Sequence, residues 1–267
     1  MRRKWHILFL IFALVTLACG FFGGKEADDE ALPEVPQPDN SQSKPEVEQA
    51  PAVEESAVEA PAPSSGNNAP KFFMDEFDGD MMDANWFEEY SYFVDDGVEE
   101  DDPEYTPSYS IEQRRGALRF EINSPYLYLY RVYEPHLYDE VRIDFEVENK
   151  GVNTNNVGAI CRYTDYGWYE FITTSGGYYS IMRYYEDGNK ELATGGISSI
   201  RFGEDKKNVY TMICTGRTLI LEVNGVQVAR VKDEEIPDAG YVGINISSEN
   251  VVPVQVEVNW LQISQLE

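Results

Sequence analysis

Residues 71–267 of this 267-residue chain predict an all-β sandwich or barrel. Three observations carry that prediction. Apolar and polar residues alternate through most of the region, which is the period of a half-buried strand. Gly- and Asn-rich turn signals recur between the alternating stretches. No stretch keeps a helical period over three turns. All 18 Tyr of the chain also lie here, and Tyr favours a pleated, half-buried surface.

The elements can be read in order. A first clear strand is 116–123, followed by 126–133, where Tyr126, Tyr128 and Tyr130 are expected on one strand face. The next, 140–148, contains Val141-Arg142-Ile143-Asp144-Phe145-Glu146-Val147-Glu148. Its strict alternation puts one face in the core and the other in water. Strands 157–163 and 168–174 flank a bend where Tyr163, Tyr166, Trp168 and Tyr169 crowd beside Arg162 and Asp165. Strand 178–185 follows Ser175-Gly176-Gly177 and stops before Asp187-Gly188-Asn189. Strands 209–215 and 218–223 meet at Thr215-Gly216-Arg217. Strands 218–223 and 226–231 meet at Asn224-Gly225, the strongest hairpin signal, because a two-residue type I′ turn needs positive φ at both positions. Strands 242–246 and 254–263 complete the set.

Charge divides the chain into three regions. The formal net charge is −27, of which residues 1–24 contribute +3, 25–70 contribute −9 and 71–267 contribute −21. So acidic a protein has no counterion-releasing basic face, which excludes nucleic acid as a partner. The 2 His of the chain exclude a multi-histidine metal centre. Residues 25–70 hold 8 of the 14 Pro, with Glu, Ala, Ser, Gln and Asn making up most of the rest. They cannot bury enough apolar surface to offset ordering entropy, so a disordered tether is expected. As a coil it would span about 40 Å and fully extended on the order of 140 Å. Ahead of it, Arg2-Arg3-Lys4 and the apolar run 7–15 read as the n- and h-regions of an export signal, too short for a permanent span.

The end of that signal, Leu17-Ala18-Cys19, resembles the lipobox of bacterial lipoproteins, with Thr16 in place of the usual Leu. The resemblance implies that residues 1–18 are a signal peptide, and that Cys19 is the lipidated first residue of a 19–70 segment tethering the 71–267 domain. The expected location is extracytoplasmic, anchored to the cell membrane or the outer membrane. A second resemblance runs through 71–267. Asp75-Glu76-Phe77-Asp78 followed by Trp86, the run Gly158-Ala159-Ile160-Cys161-Arg162-Tyr163-Thr164-Asp165, then Tyr169-Glu170-Phe171, Leu219-Ile220-Leu221-Glu222-Val223-Asn224-Gly225 and Gly240-Tyr241-Val242-Gly243 are similar to bacterial concanavalin A-like lectin/glucanase domains. Laminin-G-like and 3-keto-disaccharide hydrolase-like domains share the pattern. This resemblance implies a jelly-roll β-sandwich of concanavalin A-like type, a fold that hosts lectins, hydrolases and interaction modules alike.

No catalytic residue is assigned by the sequence. Family 16 glycoside hydrolases on this fold carry Glu-x-Asp-x-x-Glu on one strand. The nearest run holds Asp144, Glu146 and Glu148 on one face, but Arg142 and Val147 stand where its acids would be needed. His136 is the only His of 71–267, which leaves no Ser-His-Asp set. Asp95-Asp96-Gly97-Val98-Glu99-Glu100-Asp101-Asp102-Pro103-Glu104 and the group Asp75, Asp78, Asp80 and Asp83 offer hard oxygens without EF-hand spacing. No cofactor is therefore expected, with Ca²⁺ the one alternative to solvated acidic loops. Once Cys19 is lipidated, Cys161 and Cys214 are left as an even pair, either bonded or two buried thiols.

The aromatic bend carries the binding expectation. Arg162, Tyr163, Asp165, Trp168 and Tyr169 combine flat apolar surface with directed hydrogen-bonding groups, which suits a sugar. The structural alternative is that Trp168 and Tyr169 are core. The expected function is a surface-anchored, non-catalytic, glycan-binding module. The rivals are a glycoside-processing hydrolase domain and a structural or protein-interaction domain.

Overall fold

A computed structural model describes residues 69–79, 85–92, 106–152, 154–186 and 188–266. The signal peptide, Cys19 and nearly all of the expected tether lie outside the described residues. So do Asp80, Asp83 and the acidic run 95–104.

The described residues form strands β1 (Phe73–Asp75), β2 (Trp86–Tyr92), β3 (Tyr109–Gln113), β4 (Leu118–Ile122), β5 (Leu127–Tyr138), β6 (Val141–Asn149), β7 (Asn155–Thr164) and β8 (Gly167–Thr174). They continue with β9 (Tyr178–Tyr185), β10 (Gly188–Gly196), β11 (Lys207–Thr215), β12 (Thr218–Val223), β13 (Val226–Lys232), β14 (Gly240–Ser248) and β15 (Val254–Ser264). The back sheet runs β13-β12-β11-β6-β15-β4-β3, with β1 pairing the far half of β15. The front sheet runs β10-β9-β8-β7-β14-β5-β2. Every pairing is antiparallel. The two sheets form a sandwich, one of the two architectures that the alternation predicts, and it is of the jelly-roll type that the resemblance implies.

The core lies between the sheets. Phe120, Phe145, Met212, Leu221 and Val256 come from the back sheet, and Leu129, Tyr133, Ala159, Phe171 and Ile244 from the front. Each is the inward member of an alternating strand, and together they supply the main folding drive. On β15 the inward set changes phase, from Val254, Val256 and Val258 to Leu261 and Ile263, because a bulge adds one residue between Val258 and Trp260. Cys161 on β7 and Cys214 on β11 face each other across this core. They are joined by a disulfide with Cα atoms 6.7 Å apart, which pins one sheet to the other. The Asn224-Gly225 hairpin has φ of 54° and 75°, the backbone that a type I′ turn requires.

Four strands escape the sequence reading. β1 is only three residues long, and β2 and β3 lie at sheet edges with Glu, Ser and Gln interrupting their apolar residues. β10 is Gly-Asn-Lys-Glu-Leu-Ala-Thr-Gly-Gly, an edge strand made of poor strand formers and fixed by its ladder to β9. The expectation for Tyr126 also fails. It has φ of 53° and precedes β5, so only Tyr128 and Tyr130 share the strand face.

Candidate functional site

The outer faces of the two sheets differ in kind. The back sheet's outer face is charged and paired. Arg142 donates to Asp144 through Nε at 2.7 Å and Nη2 at 2.8 Å, and Thr211 donates its hydroxyl to the same carboxylate. Lys207 pairs with Glu146 at 3.3 Å and with Glu148 at 3.6 Å, and Lys150 also pairs with Glu148. The acids considered for catalysis, Asp144, Glu146 and Glu148, are thus engaged in an ion-pair ladder, half-buried at Glu146 and Glu148 and buried at Asp144.

The front sheet's outer face is apolar and aromatic. One row of residues crosses it as Met182, Glu170, Ile160, Gly243, Val132 and Phe87, on β9, β8, β7, β14, β5 and β2. A second row runs Ser180, Ile172, Gly158, Asn245, Tyr130 and Glu89. Gly158 and Gly243 leave the middle of the face without side chains. A Cβ on Gly158 would sit 2.3 Å from the Phe171 carbonyl oxygen, and one on Gly243 would sit 2.3 Å from that of Arg131, so neither position accepts a larger residue. Over this floor Tyr163, Trp168 and Tyr184 make a three-ring cluster. The Tyr163 and Trp168 centroids are 5.4 Å apart, and Trp168 stacks on Tyr184 at 4.7 Å. Tyr163 also donates its hydroxyl to Glu89, which ties β7 to β2 across the face.

Glu170 sits under the rings and is 0% exposed. Trp168 Nε1 donates to it at 3.2 Å, and the Tyr130 hydroxyl donates at 3.3 Å. No Lys or Arg is among its partners. Burial pushes its carboxyl up to about 7, against the opposing pull of the Trp168 and Tyr130 hydrogen bonds. The same burial, together with the nearby Glu170 charge, pushes the Tyr128 hydroxyl up to about 12. Next to this group, Asn156 Oδ1, Asn245 Oδ1 and Ser247 Oγ are buried without a hydrogen-bond partner among the described residues. Asn245 pairs with Gly158, and Ser247 with Asn156, so the three lie on two neighbouring strands of one face. An unpaired buried polar atom costs about 1–3 kcal/mol, and three together on one face call for an explanation.

The bend residues expected to bind are divided between two environments. Tyr163 and Trp168 are on the outer face just described. Tyr169 is on the inner face, 0% exposed, where its hydroxyl donates to Asp233 at 2.7 Å and accepts from the Ile236 amide. Arg162 takes φ of 53° at the β7 bulge, and its guanidinium donates to the carbonyls of Ile236, Gly216 and Asp139 at 2.6, 2.6 and 3.2 Å. It ties together three connections at one end of the sandwich. Asp165 is exposed on the β7–β8 turn and pairs with no basic residue among those described. The residues absent from the sequence reading are Glu170, Tyr184, Asn156, Asn245 and Ser247. Their signal lies in β8, which is apolar on both faces except for one acid: Trp168, Glu170 and Ile172 on one side, Tyr169 and Phe171 on the other. Asp75 accepts from the Phe77 amide at 2.8 Å, and no cluster of metal-ligating side chains occurs among the described residues.

No family model and no curated protein matches the chain. Solved structures match it by shape. A galectin-like-fold protein of unknown function from Bacillus subtilis aligns with a TM-score of 0.53 at 8% identity, over 72% of this chain and 94% of that one. A family 16 endo-glucanase from Bacteroides ovatus aligns at 0.52 and 9% identity, over 72% and 99%. The Bacillus licheniformis β-glucanase aligns at 0.50 and 12% identity, over 73% and 98%. At these identities the likeness is one of fold. The chain is a concanavalin A-like jelly-roll β-sandwich, whose front sheet presents an aromatic outer face around a buried carboxylate.

Proposed function

We propose that this protein is a glycan-binding module, and that the outer face of the front sheet is its site. The observation that carries the reading is the combination on that one face of the Tyr163–Trp168–Tyr184 cluster with the unpartnered polar atoms of Asn156, Asn245 and Ser247. Sugars offer apolar CH faces to rings and hydroxyls to amides and carboxylates, so they suit a face that combines rings with polar groups. The fold neighbours include glucanases, which supports a glycan as the ligand class. A single site of this kind gives affinities of about millimolar to micromolar. A glycan array probed with the protein should give hits, and Trp168→Ala should lose them tenfold or more while keeping the wild-type circular dichroism. Hits that persist in a folded Trp168→Ala protein would move the site elsewhere.

The binding reading is preferred to hydrolysis because no carboxylate is a direct neighbour of Glu170 on the face, and the next acid in its row, Glu191, stands two strands away on β10 and accepts from Ser180. Its neighbours on the face are Trp168 and Ile172 along the strand, and Ile160 and Met182 across it. Glycosidic cleavage needs two acids about 5–9.5 Å apart. One observation favours the rival: burial raises Glu170 as a general acid requires. Turnover of an array hit that disappears in Glu170→Gln would establish the enzyme.

The module is held outside the cytoplasm by lipid on Cys19, at the end of the 19–70 tether. The lipobox resemblance supports this, and so does the Cys161–Cys214 disulfide, since such bonds persist in oxidising compartments. Cys19→Ser should move the protein from the detergent phase to the aqueous phase. Equal partitioning of mutant and wild type would make residues 7–15 an uncleaved anchor.

A further inference from the structure

We infer that the front-sheet site recognises a cationic nitrogen, and that the glycan it takes carries free amino groups. This rests on the glycan reading above and names its ligand class. A carboxylate wholly removed from water is normally held by a Lys or Arg, as Arg183 holds Asp233 in this sandwich at 3.3 Å with both side chains 7% exposed. Glu170 is 0% exposed, and among the described residues it is held by two neutral donors, Trp168 and Tyr130. Burial favours its protonated form, and whenever it is ionised it is a buried negative site whose compensating cation is not supplied by the described residues around it.

The layer above it is made of the groups that attract such a cation. Trp168, Tyr163 and Tyr184 are packed together, and an ammonium over an aromatic face is drawn to the ring quadrupole. The Trp168 indole N–H and the Tyr130 hydroxyl both point to the carboxylate. Hydrogen bonding to an anion pushes electron density back into each ring and strengthens that attraction. Glu170 beneath the rings is shielded from water, so its charge acts through protein rather than solvent. The −21 charge of residues 71–267 steers cations toward the domain and repels uronic or sulfated sugars.

The test compares three tetrasaccharides by calorimetry: β-1,4-linked glucosamine, its fully N-acetylated form and β-1,4-linked glucose. Tetramethylammonium serves as a sugar-free probe. The glucosamine oligomer should bind at least tenfold more tightly than the other two. Glu170→Gln should erase that preference, bringing the glucosamine oligomer to the affinity of the neutral ones. Non-specific attraction to an acidic protein would not respond to the loss of one charge among so many. If the neutral oligomers bind as tightly as the amine, the glycan site stands and the cation inference falls. An amine preference that survives in Glu170→Gln overturns the role given to Glu170. If tetramethylammonium binds in a Glu170-dependent way and no sugar does, the cation site stands and the glycan reading falls. If no probe binds, the inference is overturned.

Discussion

Replacing Cys161 and Cys214 together by Ala should lower the stability of the sandwich by about 4 kcal/mol, the loop-entropy value for a bridge closing a 53-residue separation. The physical reason goes beyond chain entropy. β7 belongs to the front sheet and β11 to the back sheet, so the bond joins two layers that otherwise meet through side-chain packing, the strand connections and a few polar contacts such as Tyr169 and Arg183 with Asp233. Both residues are buried among Ala159, Tyr169 and Met212 in the core, so opening the bond leaves two small apolar positions rather than exposed polar groups. The loss should therefore appear as a lower urea midpoint with native strand content preserved. A fall of less than about 1 kcal/mol would mean that packing alone holds the sheets together.

Between pH 4.5 and 8, Glu170→Gln should remove about 3 kcal/mol of pH-dependent destabilisation. Burial raises the Glu170 carboxyl from 4.5 to about 7. Across that window the folded protein holds the proton more tightly than the unfolded chain. Stability is therefore greatest below pH 4.5, falls as pH rises toward 7, and stays at the lower level above it. Gln cannot ionise, so the variant's curve should lack this fall. The difference corresponds to a shift in melting temperature on the order of 10 °C. Asp233 works in the opposite sense. Burial raises its carboxyl, but the Tyr169 hydroxyl, the Glu235 amide and Arg183 outweigh that and hold it below the usual range. Its contribution is present above its unfolded value and is lost on acidification below it, so the two groups separate by pH. Parallel curves for wild type and Glu170→Gln would show that Glu170 is not desolvated as described.

The fold was legible because the strands that build the core alternate. β6 shows this most plainly, with Val141, Ile143, Phe145 and Val147 inside and Arg142, Asp144, Glu146 and Glu148 in the ion-pair ladder outside. β10 was not legible, because its Gly and polar residues are held by backbone pairing to β9 and not by burial. The site was half legible. Tyr163 and Trp168 are aromatic whichever way they face, so composition singled them out, and Tyr128 and Tyr130 with them. Arg162 and Tyr169 misled for opposite reasons. A β-bulge with positive φ sends Arg162 to three carbonyls, an event local sequence does not encode. Tyr169 alternates with Trp168, and only the layer of the sheet decides which of the two is core. Glu170 was concealed by the rule that acids on strands face water. Here both faces of β8 are covered, so the acid is buried.

The central claim is that ligand binds the outer face of the front sheet. Backbone chemical-shift mapping with an array hit tests it most directly. The account predicts perturbations at Tyr128 and Tyr130 of β5, Asn156 to Ile160 of β7, Trp168 to Ile172 of β8, Met182 to Tyr184 of β9 and Gly243 to Ser247 of β14, with the back sheet unchanged. Perturbations clustered on β6, β11 and β15, or confined to the connections around Arg162, would contradict it.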